Sequence, residues 1–295
     1  MVFLPADLSA FRWRRSALFL PASNIRAIEK AASLAADTLI FDLEDAVGPG
    51  ERETAFANLR GTAAAADFGN RETVVRTPAF ASAEFATALE AALSIDPRAI
   101  LLPKVESPAT IAAASHQLAE TGSRARLWAM IETPGALIDL AAIAGAGGRL
   151  EALVVGTNDL AKTTGARIAP GRAVLLPWLM QAVAAGRANG LAVLDGVYNR
   201  FRDLDGFAAE CADAAAMGFD GKTLIHPTQI AIANAAFGPS EADLARARTI
   251  VAAFSRPENT DKGVIRIDGE MVERLHLEEA ERWLAAAQQL PMETA

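Results

Sequence analysis

Residues 37–45, DTLIFDLED, join an uninterrupted apolar run to three carboxylates, Asp42, Glu44 and Asp45. A continuous apolar run is typical of a parallel strand that is buried on both faces. Carboxylates this close repel one another, and each is costly to desolvate unless a partner compensates for it. The segment therefore predicts a buried strand that ends either in an acidic turn or at the rim of a site that holds a cation.

The same pattern, a short apolar run followed by an Ala-rich segment with helical spacing, recurs along the chain. Strands that alternate with helices form parallel sheets, and eight of them favour a closed TIM (β/α)₈ barrel of the α/β class over an open doubly wound sheet. Residues 1–238 are thus predicted to form the catalytic barrel, with Ser23 and Ser107 as N-caps of two of its helices. No Gly-x-Gly-x-x-Gly follows the first strand, which argues against a dinucleotide-binding fold. The predicted strands are residues 16–21, 37–45, 73–78, 99–106, 127–133, 152–160, 191–198 and 222–227.

The pattern changes after residue 238. Residues 239–254 are predicted to form a capped helix, 264–273 a hairpin with Asp-Gly at its turn, and 276–290 an amphipathic helix. Such a helix–hairpin–helix appendage is too small to bury its own apolar surface. We therefore predict that residues 239–295 form a lid or oligomerisation segment that docks on the barrel or on a neighbouring subunit.

Composition narrows the class of protein. Hydrophobic residues make up 52% of the 295 residues, so a large core is expected, and the net charge of −8 argues against a nucleic-acid or anionic-membrane partner. No apolar stretch reaches the ~18 residues that span a bilayer. The basic residues of the N-terminus follow its apolar ones, which is the wrong order for a signal peptide. A cytoplasmic protein is expected. Its single cysteine, Cys211, excludes an internal disulfide and is predicted to be a packed core thiol.

Charged and polar residues stand where the predicted strands end. In a parallel barrel these positions meet at one face, where the chemistry of such barrels collects. Glu132 and Asp159 follow the fifth and sixth strands, which lie about 4.8 Å apart as neighbours. Two carboxylates without a nearby cysteine suit Mg²⁺, with Mn²⁺ as the alternative. The acids at 42–45 are then expected to hold the water molecules of the ion.

Each of these residues also has a purely structural interpretation. Glu132 and Asp159 are both placed to cap the helices that follow them. Arg76 has the alternative of pairing with a core acid. Lys104 and Glu106 are able to pair with each other, and His226 is able to serve as a loop histidine. The collection of these side chains at one face favours the functional interpretation over independent structural ones.

Several motifs together resemble a known family. LEDAV (43–47), PKVES (103–107), IETP (131–134), GTNDL (156–160) and GFDGKTLIHP (218–227) are similar to those of the citrate lyase β-subunit-like (CitE-like) enzymes of the HpcH/HpaI aldolase superfamily. The resemblance extends over nearly the whole chain. GTNDLAK, LDGVYN, GKTLIHP and DGEMVE are most similar to the (3S)-malyl-CoA thioesterase branch, with malyl-CoA and citramalyl-CoA lyases as close relatives.

The resemblance implies a Mg²⁺-dependent TIM barrel that acts on an acyl-CoA and assembles as a homotrimer or homohexamer. It implies that Glu132 and Asp159 bind the metal ion and that Arg76 contacts the substrate carbonyl or carboxylate. Asp45 is expected to steady the waters of the metal ion. The further substrate-binding residues that it implies are Phe19, Lys30, Asn158, Asp159, Ile225 and His226.

One departure from the family bears on the reaction. Glu273 stands where the lyases carry a catalytic Asp that the adjacent subunit supplies. The additional methylene moves the carboxyl group by roughly 1.5 Å, which costs about 100-fold at a finely positioned site. This favours hydrolysis of (3S)-malyl-CoA to malate and CoA, with Glu273 or an acid of the LEDA turn as the base. The alternatives are a carbon–carbon lyase on malyl-CoA or citramalyl-CoA, a citrate lyase β subunit acting on citryl-carrier protein, and a non-catalytic binding protein.

Overall fold

The computed structural model describes residues 11–290 and contains a closed barrel of eight parallel strands. Each strand pairs with the next in sequence, and β8 closes the barrel on β1 through the Leu18–Leu224 register. The predicted TIM barrel is therefore confirmed. The strands are β1 (Ser16–Pro21), β2 (Thr38–Asp42), β3 (Glu72–Arg76), β4 (Ala99–Leu102), β5 (Arg126–Ile131), β6 (Leu150–Val155), β7 (Ala192–Asp195) and β8 (Gly221–Leu224).

Most residues of the strands are apolar because both faces of each strand are buried. Ile40 points into the barrel, where it belongs to an inner cluster with Val74 and Trp128. Its neighbours Leu39 and Phe41 belong to the outer cluster beneath the helices. This alternation explains why residues 39–41, at the centre of β2, form an uninterrupted apolar run.

Helices surround the barrel and follow the strands in turn. The helix after β1 is capped by Asn24, whose side chain accepts a hydrogen bond from Ala27 N, so the prediction of Ser23 as the cap was wrong. Ser107 does occupy the N-cap position before Pro108, although its side chain makes no capping hydrogen bond. The helices are α1 (Ile25–Ala31), α2 (Arg52–Asn58), α3 (Phe85–Leu93), α4 (Pro108–Glu120), α5 (Pro134–Ile138), α6 (Leu140–Ala144), α7 (Thr157–Thr164), α8 (Leu176–Ala188), α9 (Leu204–Met217) and α10 (Ile230–Phe237).

Strand β6 is shorter than predicted. It ends at Val155, and the segment predicted to continue it to residue 160 turns at Gly156 into α7. Asp159 therefore lies on the first turn of a helix and not on the strand itself. The carboxyl ends of the strands, with the first residues of these helices, form the open end of the barrel, which we call the mouth.

Buried ion pairs close the opposite end. Arg14, just before β1, donates to both carboxylate oxygens of Glu72 at 2.7 and 2.8 Å, and its guanidinium lies 5.0 Å from the Trp128 ring. Glu151 Oε2 lies 3.2 Å from Nη2 of the same Arg14. These side chains are held together in the floor of the barrel.

The predicted helix–hairpin–helix appendage is present. It consists of α11 (Glu241–Phe254), β9 (Val264–Ile267), β10 (Glu270–Glu273) and α12 (Arg274–Ala287). Asp268 and Gly269 both have positive φ, as the predicted two-residue turn requires. The appendage has a hydrophobic cluster of its own.

The appendage attaches to the barrel at the end of its last helix. Trp13 Nε1 donates to Ala286 O at 2.9 Å, and the rings of Trp13 and Trp283 lie 6.0 Å apart. Because Trp13 precedes β1, this attachment lies toward the floor and away from the mouth. Across residues 11–290, no helix has the length and apolar composition to cross a membrane.

Candidate functional site

A buried arginine stands at the centre of the mouth. Arg76, the last residue of β3, aligns with Asp42 on the neighbouring β2. Its Nε and Nη2 donate to the two carboxylate oxygens of Asp42 at 2.7 and 2.5 Å. Asp42 also accepts from the backbone N–H of Glu44 and of Ala46, both at 3.0 Å, and so fixes the turn that follows it. The structural alternative for Arg76, pairing with a core acid, is therefore realised by two of its three nitrogens.

The third nitrogen of Arg76 faces the other acids of the opening motif. Nη1 lies 3.2 Å from Glu44 and 3.2 Å from Asp45. Asp45 is 53% exposed on its side chain, so its carboxylate is open to solvent and to a ligand. Lys104 forms an ion pair with Glu44 and lies 4.0 Å from Asp45. The structural alternative supposed that Lys104 pairs with Glu106. Lys104 pairs instead with the acidic turn.

Glu132 directly follows β5 and is 1% exposed. One of its oxygens, Oε1, accepts a hydrogen bond from Lys104 N at 2.8 Å. The other, Oε2, is buried without a hydrogen-bond partner among residues 11–290. The pKa of Glu132 is raised to about 7, chiefly by burial and also by the charges of Glu44 and Asp159, while the Lys104 N–H and Arg76 act in the opposite direction. A buried carboxylate oxygen without a partner is costly, and a cation would satisfy it.

Two backbone features shape this carboxylate site. Lys104 has a φ of +53°, in the left-handed region that non-glycine residues rarely adopt, and this conformation accompanies the N–H bond to Glu132. A Cβ added at Gly156 would lie 2.6 Å from Glu132 Oε2 and closer still to Glu132 Cβ. Only glycine at 156 therefore leaves room for Glu132 beside the start of α7.

The predicted metal ligands Glu132 and Asp159 lie close enough to interact electrostatically, since Asp159 raises the pKa of Glu132. Within residues 11–290, no cluster of three or more Asp, Glu, His or Cys side chains is arranged to hold a metal ion. Mg²⁺ commonly takes only one or two protein carboxylates and fills its remaining positions with water and substrate oxygens. The partnerless Glu132 oxygen and the hard oxygen donors fit such an ion.

The predicted substrate-binding residues lie on several elements around the barrel. The Phe19 ring lies 4.8 Å beneath the Arg76 guanidinium, at the top of the inner cluster. Ile225 and His226 follow β8, and the His226 ring stacks on Phe201 at 4.6 Å. Asn158 exchanges hydrogen bonds of 3.1 and 2.7 Å with Asn199. Lys30 is exposed near the end of α1, where a substrate would have to extend beyond the mouth to reach it.

Glu273 is not brought to the mouth within one chain. It is exposed and occupies the N-cap position of α12, where its backbone N–H donates to His276 Nδ1 at 3.0 Å. The base assignment of Glu273 therefore stays a prediction that requires a neighbouring chain.

Sequence reasoning did not identify Gly156 as part of this site, and it did not predict that the backbone of Lys104 would hold Glu132. The signal for Gly156 was a lone glycine between a buried strand and a polar helix start, where a close approach is common. No local signal marks Lys104, because its left-handed backbone serves a carboxylate that lies 28 residues away in sequence. Met130 was also missed; its Sδ lies 3.8 Å from Arg76 Nη1.

Comparisons with known proteins identify the family. The family model for HpcH/HpaI aldolase/citrate lyase matches residues 15–227. A (3S)-malyl-CoA thioesterase from Cereibacter sphaeroides is 44% identical over 274 residues, which cover 93% of this chain and 94% of that protein. A mitochondrial citramalyl-CoA lyase from Rattus norvegicus is 30% identical over 93% of this chain and 86% of its own.

Solved structures match over a similar length. The crystal structure of CitE from Mycobacterium tuberculosis in complex with magnesium, acetoacetate and coenzyme A superposes with a TM-score of 0.76 at 33% identity, over 93% of this chain and 98% of that one. The chain belongs to the HpcH/HpaI aldolase/citrate lyase family.

Proposed function

We propose that this protein is a Mg²⁺-dependent acyl-CoA enzyme that hydrolyses (3S)-malyl-CoA to malate and CoA. The observation that carries the proposal is the buried Glu132, whose Oε2 has no protein partner among the described residues and which lies beside Asp159 and Arg76. The similarity to a (3S)-malyl-CoA thioesterase at 44% identity supports the choice of substrate. The similarity to a structure that contains magnesium and coenzyme A supports the choice of ion and carrier.

Glu132 and Asp159 would hold the metal ion, with Mn²⁺ as the alternative to Mg²⁺. When bound, the ion would orient the substrate oxygens and act as a Lewis acid. Lys104 N–H fixes Glu132 Oε1 and leaves Oε2 for the ion, while Gly156 keeps the space that this carboxylate needs. These contacts set the position of the ligand before the substrate arrives.

Arg76 would stabilise the negative charge that develops on the thioester oxygen. Its two bonds to Asp42 hold the guanidinium in one orientation, so little reorganisation is required during the reaction. Nη1, with its longer contacts to Glu44 and Asp45, is the nitrogen that a substrate oxygen would reach. Phe19, beneath the guanidinium, would form the apolar wall, and Lys30, Asn158, Ile225 and His226 would contact the rest of the acyl-CoA.

The base that activates water is Glu273 of a neighbouring subunit or Asp45 of the acidic turn. Glu273 belongs to an appendage attached toward the floor of its own barrel, so it would serve the mouth of another copy. Exposed apolar side chains on the appendage support such an interface: Val264 is 44%, Met271 68% and Leu275 56% exposed. The proposal also includes a homotrimer or homohexamer, a cytoplasmic location and the division of the chain at residue 238.

Carbon–carbon cleavage is the second candidate, favoured by the 30% identity to a citramalyl-CoA lyase. Incubation with malyl-CoA and Mg²⁺ separates the two reactions by their products. Free CoA and malate indicate hydrolysis, whereas glyoxylate and acetyl-CoA indicate cleavage. The variant Glu132→Gln should abolish turnover, and the matched control Glu106→Gln, an exposed acid after the neighbouring strand, should retain it. If none of these products forms with any divalent ion tried, both functions are refuted.

A further inference from the structure

Four charged side chains form a buried cluster beside the mouth. Arg172 Nη1 donates to both oxygens of Asp195 at 2.7 and 2.9 Å, and Lys222 Nζ donates to Asp195 Oδ2 at 2.5 Å. Glu210, on α9, accepts from Lys222 at 2.8 Å and lies 3.2 Å from Arg172 Nε. Asp195 and Lys222 are fully buried and Arg172 is 4% exposed. Two positive and two negative charges balance one another, so removing any one of them leaves an uncompensated buried charge.

The cluster holds the loop that leads away from the proposed metal site. After α7 the chain runs through residues 165–171, which are largely exposed, before Arg172 enters the protein. Arg172 has a φ of +49°, another left-handed conformation at a non-glycine residue. Such a conformation persists where the surroundings enforce it, and here the ion pairs to Asp195 do so. Arg172 is thus the deep anchor of a loop that is otherwise at the surface.

The start of the same segment is tied to the same strand end. Gly196 follows Asp195, and a Cβ added there would lie 2.5 Å from the Oγ1 of Thr157, the first residue of α7. Gly196 N donates to Asp195 Oδ1 at 2.8 Å, which orients this contact. One residue further on, Asn158 and Asn199 exchange two hydrogen bonds. The segment that carries Asp159 is therefore fastened to the end of β7 on both sides of α7.

We propose that Arg172 is a positioning residue for the metal site: through Asp195 it fixes α7 and the following loop, and so places the Asp159 carboxylate opposite Glu132. The inference rests on the proposed function, because it takes Asp159 as a metal ligand. Arg172 itself reaches neither the ion nor the substrate; it acts through the end of β7. Residues that orient a metal ligand in this way change metal affinity by about 10- to 100-fold when they are replaced.

The test separates positioning from stability by means of charge balance. Arg172→Met removes the anchor and leaves a buried negative charge, whereas the double variant Arg172→Met/Glu210→Gln removes one charge of each sign. Arg167→Met, an exposed arginine on the same loop, is the matched control. Each protein is examined by calorimetric titration with Mn²⁺ alone, by thermal unfolding, and by hydrogen exchange of the amides of residues 165–175. Turnover is measured at limiting and at saturating Mg²⁺.

We expect the double variant to unfold at nearly the wild-type temperature, and yet to bind Mn²⁺ about 10- to 100-fold more weakly and to exchange the loop amides faster. Its kcat at saturating Mg²⁺ should approach that of the wild type, which a damaged catalytic group would not allow. Arg167→Met should behave as the wild type in every measurement. Wild-type Mn²⁺ affinity in the double variant would overturn the inference and assign Arg172 to stability alone.

Glu132→Gln, titrated in parallel, distinguishes this failure from that of the proposed function. If Glu132→Gln loses Mn²⁺ and the double variant does not, only the role of Arg172 is refuted. If Glu132→Gln binds Mn²⁺ as tightly as the wild type, the metal site itself is refuted and the role of Arg172 with it.

Discussion

The close approach of Gly156 to Glu132 leads to a quantitative prediction for Gly156→Ala. The new methyl group would lie 2.6 Å from Glu132 Oε2, whereas ordinary contact begins at 3.4 Å. Glu132 must therefore retreat by about 1 Å, and a displacement of this size at a reacting centre lowers rates by about 100-fold. This corresponds to about 2.7 kcal/mol of lost transition-state stabilisation.

The expected result is a fall of about 100-fold in kcat/KM, together with a higher Mg²⁺ concentration for half-maximal activity. Thioester loss and release of the CoA thiol are followed spectrophotometrically at a series of Mg²⁺ concentrations. Gly61→Ala is the matched control, because a Cβ added at Gly61 meets nothing within 4 Å. Thermal unfolding of both variants shows whether the folded state is retained.

A Gly156→Ala protein with wild-type kcat/KM and Mg²⁺ dependence would refute this reasoning. That outcome would mean that the Glu132 carboxylate moves without consequence and is not a metal ligand. A loss of activity at unchanged Mg²⁺ dependence would also contradict it, because displacement of a ligand has to weaken the binding of the ion.

Three further predictions concern single side chains. The pKa of Glu132 is raised to about 7, and a ligand must lose its proton to bind a metal ion. The affinity for Mg²⁺ should therefore fall about tenfold per pH unit below pH 7 and level off above it. Calorimetric titrations at pH values below and above 7 measure this dependence. Burial raises the pKa of Cys211 to about 12, so a thiol reagent should modify it only after denaturation. The variants Glu132→Gln and Glu273→Gln should each be inactive alone, and activity should return when chains of the two variants assemble into mixed oligomers. The control is Glu270→Gln, at an exposed acid on the same strand as Glu273, which should stay active.

Much of the fold was predictable because burial on both faces leaves a strong local signal. The strand Ser16–Pro21 has the predicted bounds, and the Asp268-Gly269 turn is where its dipeptide indicated. The errors lie where polar residues follow a strand. The prediction extended β6 through GTNDL, but Gly156 ends the strand, and α7 begins at Thr157 without a side-chain cap. The glycine that follows the apolar run was the local signal for the end of this strand.

The positions of Glu132 and Asp159 near the ends of their strands were predictable and the contacts that support them were not, while their role as metal ligands stays a prediction. Glu132 and Asp159 followed from the rule that parallel strands end on one face. The contacts that hold them depend on pairs distant in sequence, such as Lys104 N with Glu132 and Arg172 with Asp195, 28 and 23 residues apart. Arg172 lies in a loop without periodicity, and its left-handed backbone is enforced by partners that the sequence does not mark.

The acidic turn with which the sequence began can now be understood through its charge. Asp42, Glu44 and Asp45 share Arg76 and Lys104, so three negative charges face two positive ones before Glu132 and Asp159 are added. The mouth thus carries an excess of negative charge, and this excess contributes to the raised pKa of Glu132. A substrate with a terminal carboxylate would be repelled by such a surface. A divalent cation between Glu132 and Asp159 removes most of the excess and also offers the carboxylate a partner. We therefore expect the ion to bind before the acyl-CoA. Because Asp42 neutralises the Arg76 guanidinium, Arg76 should be insufficient to recruit the substrate without the ion.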